Sequence, residues 1–359
     1  MGGDFAPQAT IAGALKALDE LDESHSVQLV GQTPIIEAEL SRALADDSEG
    51  AARDRIEIVE APDVVDMSDK PTVALRRKAR NPMAVGMKLQ VDGKSDGFVS
   101  AGSTGAQMAV STVLLGLHSG LTRPAIATIF PTSREPIVLM DSGANVDCSA
   151  TELVQFAWLG SVYAEYVLGR MNPVIGLLSI GEEDAKGNSV SKEAHNLFRA
   201  AGFNFQGNVE GRDLPQGATD RGHLDVVICD GFVGNVVLKF YEGVIPMVVE
   251  LLARDGGIDM SRVGSALGAL DSSAYGGAPL LGVRGVSMIC HGNSTPRAIG
   301  NAITAAVRAV ETKLNERIGE RMSMSALNVA TRLFGLLLAA IAIEMMADGA
   351  KALLPGLAG

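Results

Sequence analysis

Aromatic residues are scarce in this chain of 359 residues: Phe, Tyr and Trp make up 4% of it, with a single Trp. So thin an aromatic supply argues against a surface that stacks nucleic-acid bases. An excess of positive charge is missing as well. Lys and Arg total 30 against 42 Asp and Glu, a formal net charge of −12. General nucleic-acid binding is thereby disfavoured, although a local basic patch remains open. Cysteine is confined to Cys148, Cys229 and Cys290, far apart and without a CxxC pair. Neither a zinc ribbon nor a disulfide framework fits that spacing, and buried thiols in a reducing compartment are expected. The amino-terminal MGGDFAPQAT has no basic stretch and no apolar core, so no signal peptide is read there and a cytoplasmic location is expected.

Glycine is plentiful, with 41 residues, and 47% of the chain is hydrophobic. This is the composition of a folded protein with many tight turns. The length allows two domains or one large α/β unit. Up to about residue 320, short β-branched apolar runs alternate with helix-length segments. Strands are expected at Val27–Val30, Ile56–Glu60, Gly97–Ser100, Ile137–Asp141, Val174–Ile180, Asp225–Asp230 and Val286–His291. Helices are expected near 7–20, 33–45, 72–90, 104–117, 150–168, 189–201, 234–254 and 297–318. Strand–helix alternation of this kind predicts a doubly wound α/β fold, in which ligands bind beyond the carboxyl ends of strands.

The segments at those strand ends are SAGSTGA (Ser100–Ala106), DSGANVD (Asp141–Asp147), SIGEEDAKGN (Ser179–Asn188), DGFVGNVVLK (Asp230–Lys239) and CHGNSTPR (Cys290–Arg297). In the first, Gly102 and Gly105 admit a ligand close to the backbone, and Ser103 and Thr104 add hydroxyls at the mouth of a helix. That is an anion cradle, although a purely structural tight turn has the same spacing. The GKS at Gly93–Ser95 has Lys88 where a P-loop needs glycine, and neither a GxGxxG after a strand nor a GxSxG elbow is present. Asn235 reads as a helix cap or a ligand contact. Lys186 and Lys239 can neutralise a phosphate or polarise a carbonyl. His291 is the histidine best placed to face a site, with Cys290 turned to the opposite side of its strand. Arg76, Arg77, Lys78 and Arg80 form the one dense basic cluster, either a solvated helix face or a landing patch for a small acidic partner.

Taken in order, these segments resemble the bacterial acyl-ACP:phosphate acyltransferases (the PlsX family). The resemblance runs from Met1 to about Met322. It is carried by MGGDFAP (Met1–Pro7), RRKARNPM (Arg76–Met83), AGSTGA, DSGANVD and GEEDAKGN, and continues through FQGNVEGRD (Phe205–Asp213), DGFVGNVVLK, YGGAPLLGVRG (Tyr275–Gly285) and HGNS (His291–Ser294). It implies a Rossmann-like three-layer α/β/α fold akin to phosphotransacetylases and isopropylmalate dehydrogenases, with a mostly parallel sheet. The implied activity is transfer of an acyl group from acyl carrier protein (ACP) to inorganic phosphate, by a homodimer, for phospholipid synthesis. Phosphate is already an anionic nucleophile, so no metal or cofactor is expected; the site must position it and stabilise charge on the thioester oxygen. On that basis phosphate is assigned to Gly102, Ser103, Thr104 and Gly105, and charge stabilisation to Lys186, Asn235 and His291. Asp4, Asp141, Asn145 and Asp230 are assigned as orienting residues. Arg76, Arg77, Lys78 and Arg80 become the ACP dock.

Three departures accompany the resemblance. Family members carry a short strand ahead of MGGD, so the natural chain is expected to extend upstream of Met1. Ser103 stands where the family's turn usually has asparagine, one donor in place of two. The apolar stripe in Phe240–Ser273 has Glu242, Glu250 and Asp255 as neighbours, which favours a dimer contact over an anionic membrane. Beyond the 1–322 body, 323–359 is expected to be an added apolar helix. Its run Leu333–Ile343 is well short of the ~20 residues that span a bilayer, which leaves packing on the body or peripheral membrane contact. The rival activities are a phosphotransacetylase-like transfer from acyl-CoA, a decarboxylating dehydrogenase of related fold, and a non-enzymatic membrane tether.

Overall fold

The computed structural model describes residues 2–45, 53–66, 69, 71–254 and 276–323. The 323–359 tail beyond its first residue, and the second half of the Phe240–Ser273 segment, lie outside the described residues. The element order is α1 (Gln8–Glu20), β1 (Val27–Gly31), α2 (Thr33–Ala43), β2 (Ile56–Glu60), α3 (Pro71–Arg76), α4 (Pro82–Val91), β3 (Gly97–Ser100), α5 (Thr104–Leu114), β4 (Ala125–Phe130), β5 (Ile137–Met140), α6 (Ala150–Tyr166), β6 (Ile175–Leu178), α7 (Ser189–Ala201), β7 (Phe205–Val209), the short hairpin β8–β9 (Ala218–Thr219 and Gly222–His223), β10 (Val226–Ile228), α8 (Gly231–Arg254), β11 (Ala278–Leu281), β12 (Val286–Ile289) and α9 (Pro296–Glu311).

Local chemistry sets several of these boundaries. Ser149 and Glu152 close a capping box on α6. Asn188 caps α7, which ends at Gly202 in the left-handed region. Thr295 caps α9 with Pro296 at its first position. The single helix expected over 72–90 is a correction: it is two helices, because Pro82 has no N–H to donate to a helical ladder. Asn81 caps the new start by accepting from Met83 and Ala84 N–H.

Eight strands form the main sheet in the order β3-β12-β11-β4-β5-β10-β6-β7. It consists of two parallel blocks, β3–β12 and β5–β10–β6–β7, joined through antiparallel pairings of β11 and β4. The sequence reading missed β4, β7 and β11. The blocks therefore run in opposite directions. Strands β3 and β12 release their carboxyl ends on one edge of the sheet, while β5, β10 and β6 release theirs on the other.

Side-chain alternation feeds apolar layers on both faces. From β5, Val138 and Met140 pack with α6 residues such as Phe156, whereas Ile137 and Leu139 pack with Phe130 and Val227 beneath α8. The pair β1–β2 forms a separate parallel sheet. Between β1 and β3 lies a cavity of about 380 Å³, lined by both strands and by α1, α4 and α9. Gly2 is among its lining residues.

Helix α8 meets the sheet through Gly234, where an added Cβ would come within 1.9 Å of the Asp141 carbonyl oxygen. Gly234→Ala is therefore expected to destabilise the protein by about 3 kcal/mol or more, as overpacking against rigid backbone does. Urea unfolding followed by circular dichroism will check this.

Candidate active site

The glycine turn is built where β3 hands over to α5. Ser100 Oγ accepts the Gly102 N–H at 3.1 Å, and Ser103, as N-cap, accepts from Ala106 N–H at 3.4 Å. The first-turn N–H groups of Thr104 and Gly105 then sit at the positive end of α5. Two other loops share this edge. Cys290 N–H donates to Ser100 O at 2.8 Å, and Asp4 N–H donates to Gly292 O at 2.7 Å. Gly3 has φ +100 and a Cβ there would lie 2.9 Å from Gly292 O, so this close approach needs glycine. The turn, Asp4 and His291 are thus brought together, with Asp4 and His291 exposed.

Asp141, Asn145, Asp230 and Asn235 gather instead around the opposite edge. Asp141 is fully buried. Its Oδ1 accepts N–H groups of Ile126 (3.1 Å), Gly143 (3.2 Å) and Ala144 (3.0 Å); its Oδ2 accepts Asn145 N–H (2.7 Å) and Nδ2–H (2.9 Å). Burial pushes this carboxyl above its ordinary range, against the pull of those hydrogen bonds. Asn145 Nδ2 also donates to Pro124 O, and Asn145 O accepts Gly231 N–H at 2.7 Å. Both side chains are spent on holding the loop. Asp230 Oδ1 accepts Val233 N–H at 2.8 Å, so Asp230, not Asn235, caps α8. Asn235 is exposed one turn into that helix, opposite Gly143.

Lys186 stands apart from both groups. It is exposed in the loop after β6, with its stem folded over Gly181. That loop is pinned by Asn208 Nδ2 donating to Glu183 O at 2.8 Å and by Asp184 lying 3.2 Å from the buried His195 and 2.8 Å from Arg199. None of the contacts among the described residues joins Lys186 to Asn235 or His291.

Helix α8 connects the two edges. Three residues on from Lys239 stands Glu242, which the sequence reading did not place in the site. Lys239 Nζ lies 2.8 Å from Glu242 Oε2 and 3.4 Å from His291 Nδ1, and His291 Nε2 lies 3.5 Å from Glu242 Oε1. Burial opposes ionisation of Glu242, but hydrogen bonds and charge from His291 and Lys239 outweigh it and hold the carboxyl at about 2. The i, i+3 spacing of Lys239 and Glu242 was legible as an ion pair; its meeting with His291 was not. Burial also pushes the Cys290 and Cys148 thiols up to about 12, and Cys229 well above its ordinary value. Thiolate nucleophiles are therefore not on offer at neutral pH.

The basic cluster occupies the turn between α3 and α4 instead of a helix face. Arg76, Arg77 and Arg80 are exposed. Lys78 pairs with Asp69 at 2.5 Å and Asp66 at 3.3 Å. This segment abuts the glycine turn: a Cβ on Gly102 would meet Met83 Cε at 2.6 Å, and one on Gly105 would meet Pro71 Cγ at 3.3 Å.

Residues 1–317 match the family described as "Fatty acid synthesis protein". The phosphate acyltransferase of Desulforamulus reducens is 45% identical over 331 residues, covering 90% of this chain and 95% of the relative. That of Heliobacterium modesticaldum is 44% identical, covering 90% and 96%. The chain belongs to the phosphate acyltransferase family. It is an enzyme, an acyltransferase of fatty acid and phospholipid synthesis.

Its fold is that of the phosphotransacetylases. A phosphotransacetylase from Streptococcus pyogenes superposes with TM-score 0.53 at 15% identity, covering 84% of this chain and 98% of that one. A branched-chain phosphotransacylase from Enterococcus faecalis gives 0.54 at 14%, covering 86% and 96%. Among the described residues of the acyltransferase, no helix is long and apolar enough to cross a membrane.

Because the Glu242 carboxyl is depressed in the folded state, its contribution to stability is complete above the unfolded value near 4.5 and is lost as pH falls toward about 2. Urea unfolding of the wild type and Glu242→Gln should therefore differ at pH 6, with the difference shrinking steadily between pH 4.5 and pH 3. A difference independent of pH would contradict the ionic role.

Proposed function

We propose that this phosphate acyltransferase takes its acyl group from acyl-ACP and delivers it to inorganic phosphate held at the Gly102–Gly105 turn. The observation that carries the reading is the placement of the basic turn. Exposed Arg76, Arg77 and Arg80 stand on the segment whose flanking residues Pro71 and Met83 pack against the glycine turn. In a chain of net charge −12, such a patch steers an acidic protein carrier to the side of the site where phosphate waits. Lys78 contributes less, since Asp66 and Asp69 neutralise it. Ser103, Thr104 and Gly105 supply hydroxyl and N–H donors to phosphate, with Asp4 orienting the neighbouring loop. Asp141, Asn145 and Asp230 act by holding the opposite edge and the start of α8. Asn235 and Lys186 follow β10 and β6 on that second edge.

The protein works as a homodimer in this proposal. Helix α8 exposes Phe232, Val236, Phe240, Met247 and Leu251, an apolar stripe that a second copy would cover. A peripheral membrane contact through the segments outside the described residues belongs to the same reading, and liposome flotation tests it.

The phosphotransacetylase-like rival uses acyl-CoA, whose phosphates the same arginines could also hold. Incubation with phosphate and either acyl-ACP or acyl-CoA, with product trapped as its hydroxamate, separates the two. Hydroxamate from acyl-ACP at much the higher kcat/KM is expected; a preference for acyl-CoA would overturn the carrier assignment. Replacing Arg76, Arg77 and Arg80 together by Glu should raise KM for acyl-ACP by about tenfold or more and steepen no salt dependence, since steering is lost, while KM for phosphate stays put.

A further inference from the structure

Where β12 ends, a cavity of about 320 Å³ opens between α8 and the loop 291–295. Ile129, Leu238, Pro279 and Ile289 give it an apolar floor, and Lys239, Glu242 and His291 form part of its rim. Apolar walls with a few converging polar groups suit a substrate that is hydrocarbon at one end and polar at the other.

The three rim groups are not equally free. His291 uses both ring nitrogens inside the cluster: Nε2 faces Glu242 Oε1 at 3.5 Å, and Nδ1 faces Lys239 Nζ at 3.4 Å. Glu242 is acceptor-only and is engaged by both neighbours. An ammonium has three N–H donors. Two of those on Lys239 point to Glu242 and His291, and the third remains for the cavity. Lys186, the other candidate cation, follows β6 on the opposite edge and has no contact with this cluster among the described residues.

We infer that Lys239 is the catalytic cation that hydrogen-bonds the carbonyl oxygen of the acyl thioester in this cavity, with Glu242 and His291 as its positioning residues. The inference rests on the acyl-transfer reading above. In the reaction R–CO–S–R′ + HPO4²⁻ → R–CO–O–PO3²⁻ + HS–R′, a phosphate oxygen forms the new bond to the acyl carbon. The C–S bond breaks with its electron pair leaving on sulfur, and the proton carried by HPO4²⁻ ends on the thiol. Negative charge passes through the carbonyl oxygen on the way. A donor already fixed at two points meets that charge without reorganising. Loop 291–295 also touches Asp4, and Gly3 abuts Ala101 beside the glycine turn, so the phosphate turn and the cavity are neighbours across one loop.

The test compares Lys239→Met, Lys239→Arg and Glu242→Gln with wild type in the full chain, using hexadecanoyl-ACP and phosphate. Lys239→Met should lower kcat by about 10²–10³-fold, the scale of losing one oxyanion donor, with KM for phosphate changed less than twofold. Lys239→Arg should recover at least tenfold of that loss, and Glu242→Gln should lower kcat about tenfold with both KM values kept. Retention of kcat within twofold in Lys239→Met, or a loss confined to KM for phosphate, overturns the assignment. Binding of a non-transferable ketone analogue of the acyl-pantetheine thioester, followed by calorimetry, gives a readout that needs no turnover. About tenfold weaker binding in Lys239→Met, with the fold retained by circular dichroism, supports the carbonyl contact even if the wild type makes no acyl phosphate, an outcome that would sink the activity alone. Equal binding by both proteins would overturn the contact.

Discussion

The buried Asp141 carboxylate ties β4 to the loop that follows β5. Asp141 accepts five hydrogen bonds, from the backbone of β4 and from the loop that follows β5. Through Asn145 the same knot reaches Pro124 and the first residue of α8. It lies at the junction where an antiparallel pair joins the two parallel blocks of the sheet. A buried carboxylate is costly unless it is satisfied, and here satisfying it dictates the path of three segments. Gly234 completes the arrangement by letting α8 lie on the Asp141 carbonyl with no side chain between them.

The direction of the two blocks decides which loops share an edge. Strand ends on one edge carry the glycine turn and His291; those on the other carry Asp141, Asp230 and Lys186. Among the described residues, α8 is the helix that passes from one group to the other, and its Lys239 and Glu242 arrive beside His291. The polar residues are thus divided, and the helix rooted in the Asp141 knot brings cation and carboxylate to the edge where the glycine turn lies.

Much of this fold could be read directly from the chain. All seven expected strands form, and α7 has the limits that Asn188 and Gly202 announce. The strands that escaped notice have reasons of their own. β4 interleaves its Ile126, Thr128 and Ile129 with the small Ala125 and Ala127, which weakens the apolar run. β7 carries Gln, Gly and Asn among its residues, and β11 contains Pro279. Pro82 was visible all along as a helix breaker, yet the apolar periodicity around it concealed the break. The glycine turn and His291 could be singled out by residue type alone, whereas Glu242 looked like one more acidic residue on an amphipathic helix.

Family, fold class, the glycine turn and the caps of individual helices were determined by the sequence itself, because each depends on residues near one another in the chain. Tertiary structure alone decided that β3 and β12 run against β5, β10 and β6. It therefore decided that Lys186 and His291 belong to different edges, that Lys78 is neutralised by Asp66 and Asp69, and that His291 has both nitrogens engaged. The physical reason is the same in each case. Hydrogen bonds and charge pairs act over a few ångströms of space, and which groups come that close depends on strand pairing between segments far apart in sequence.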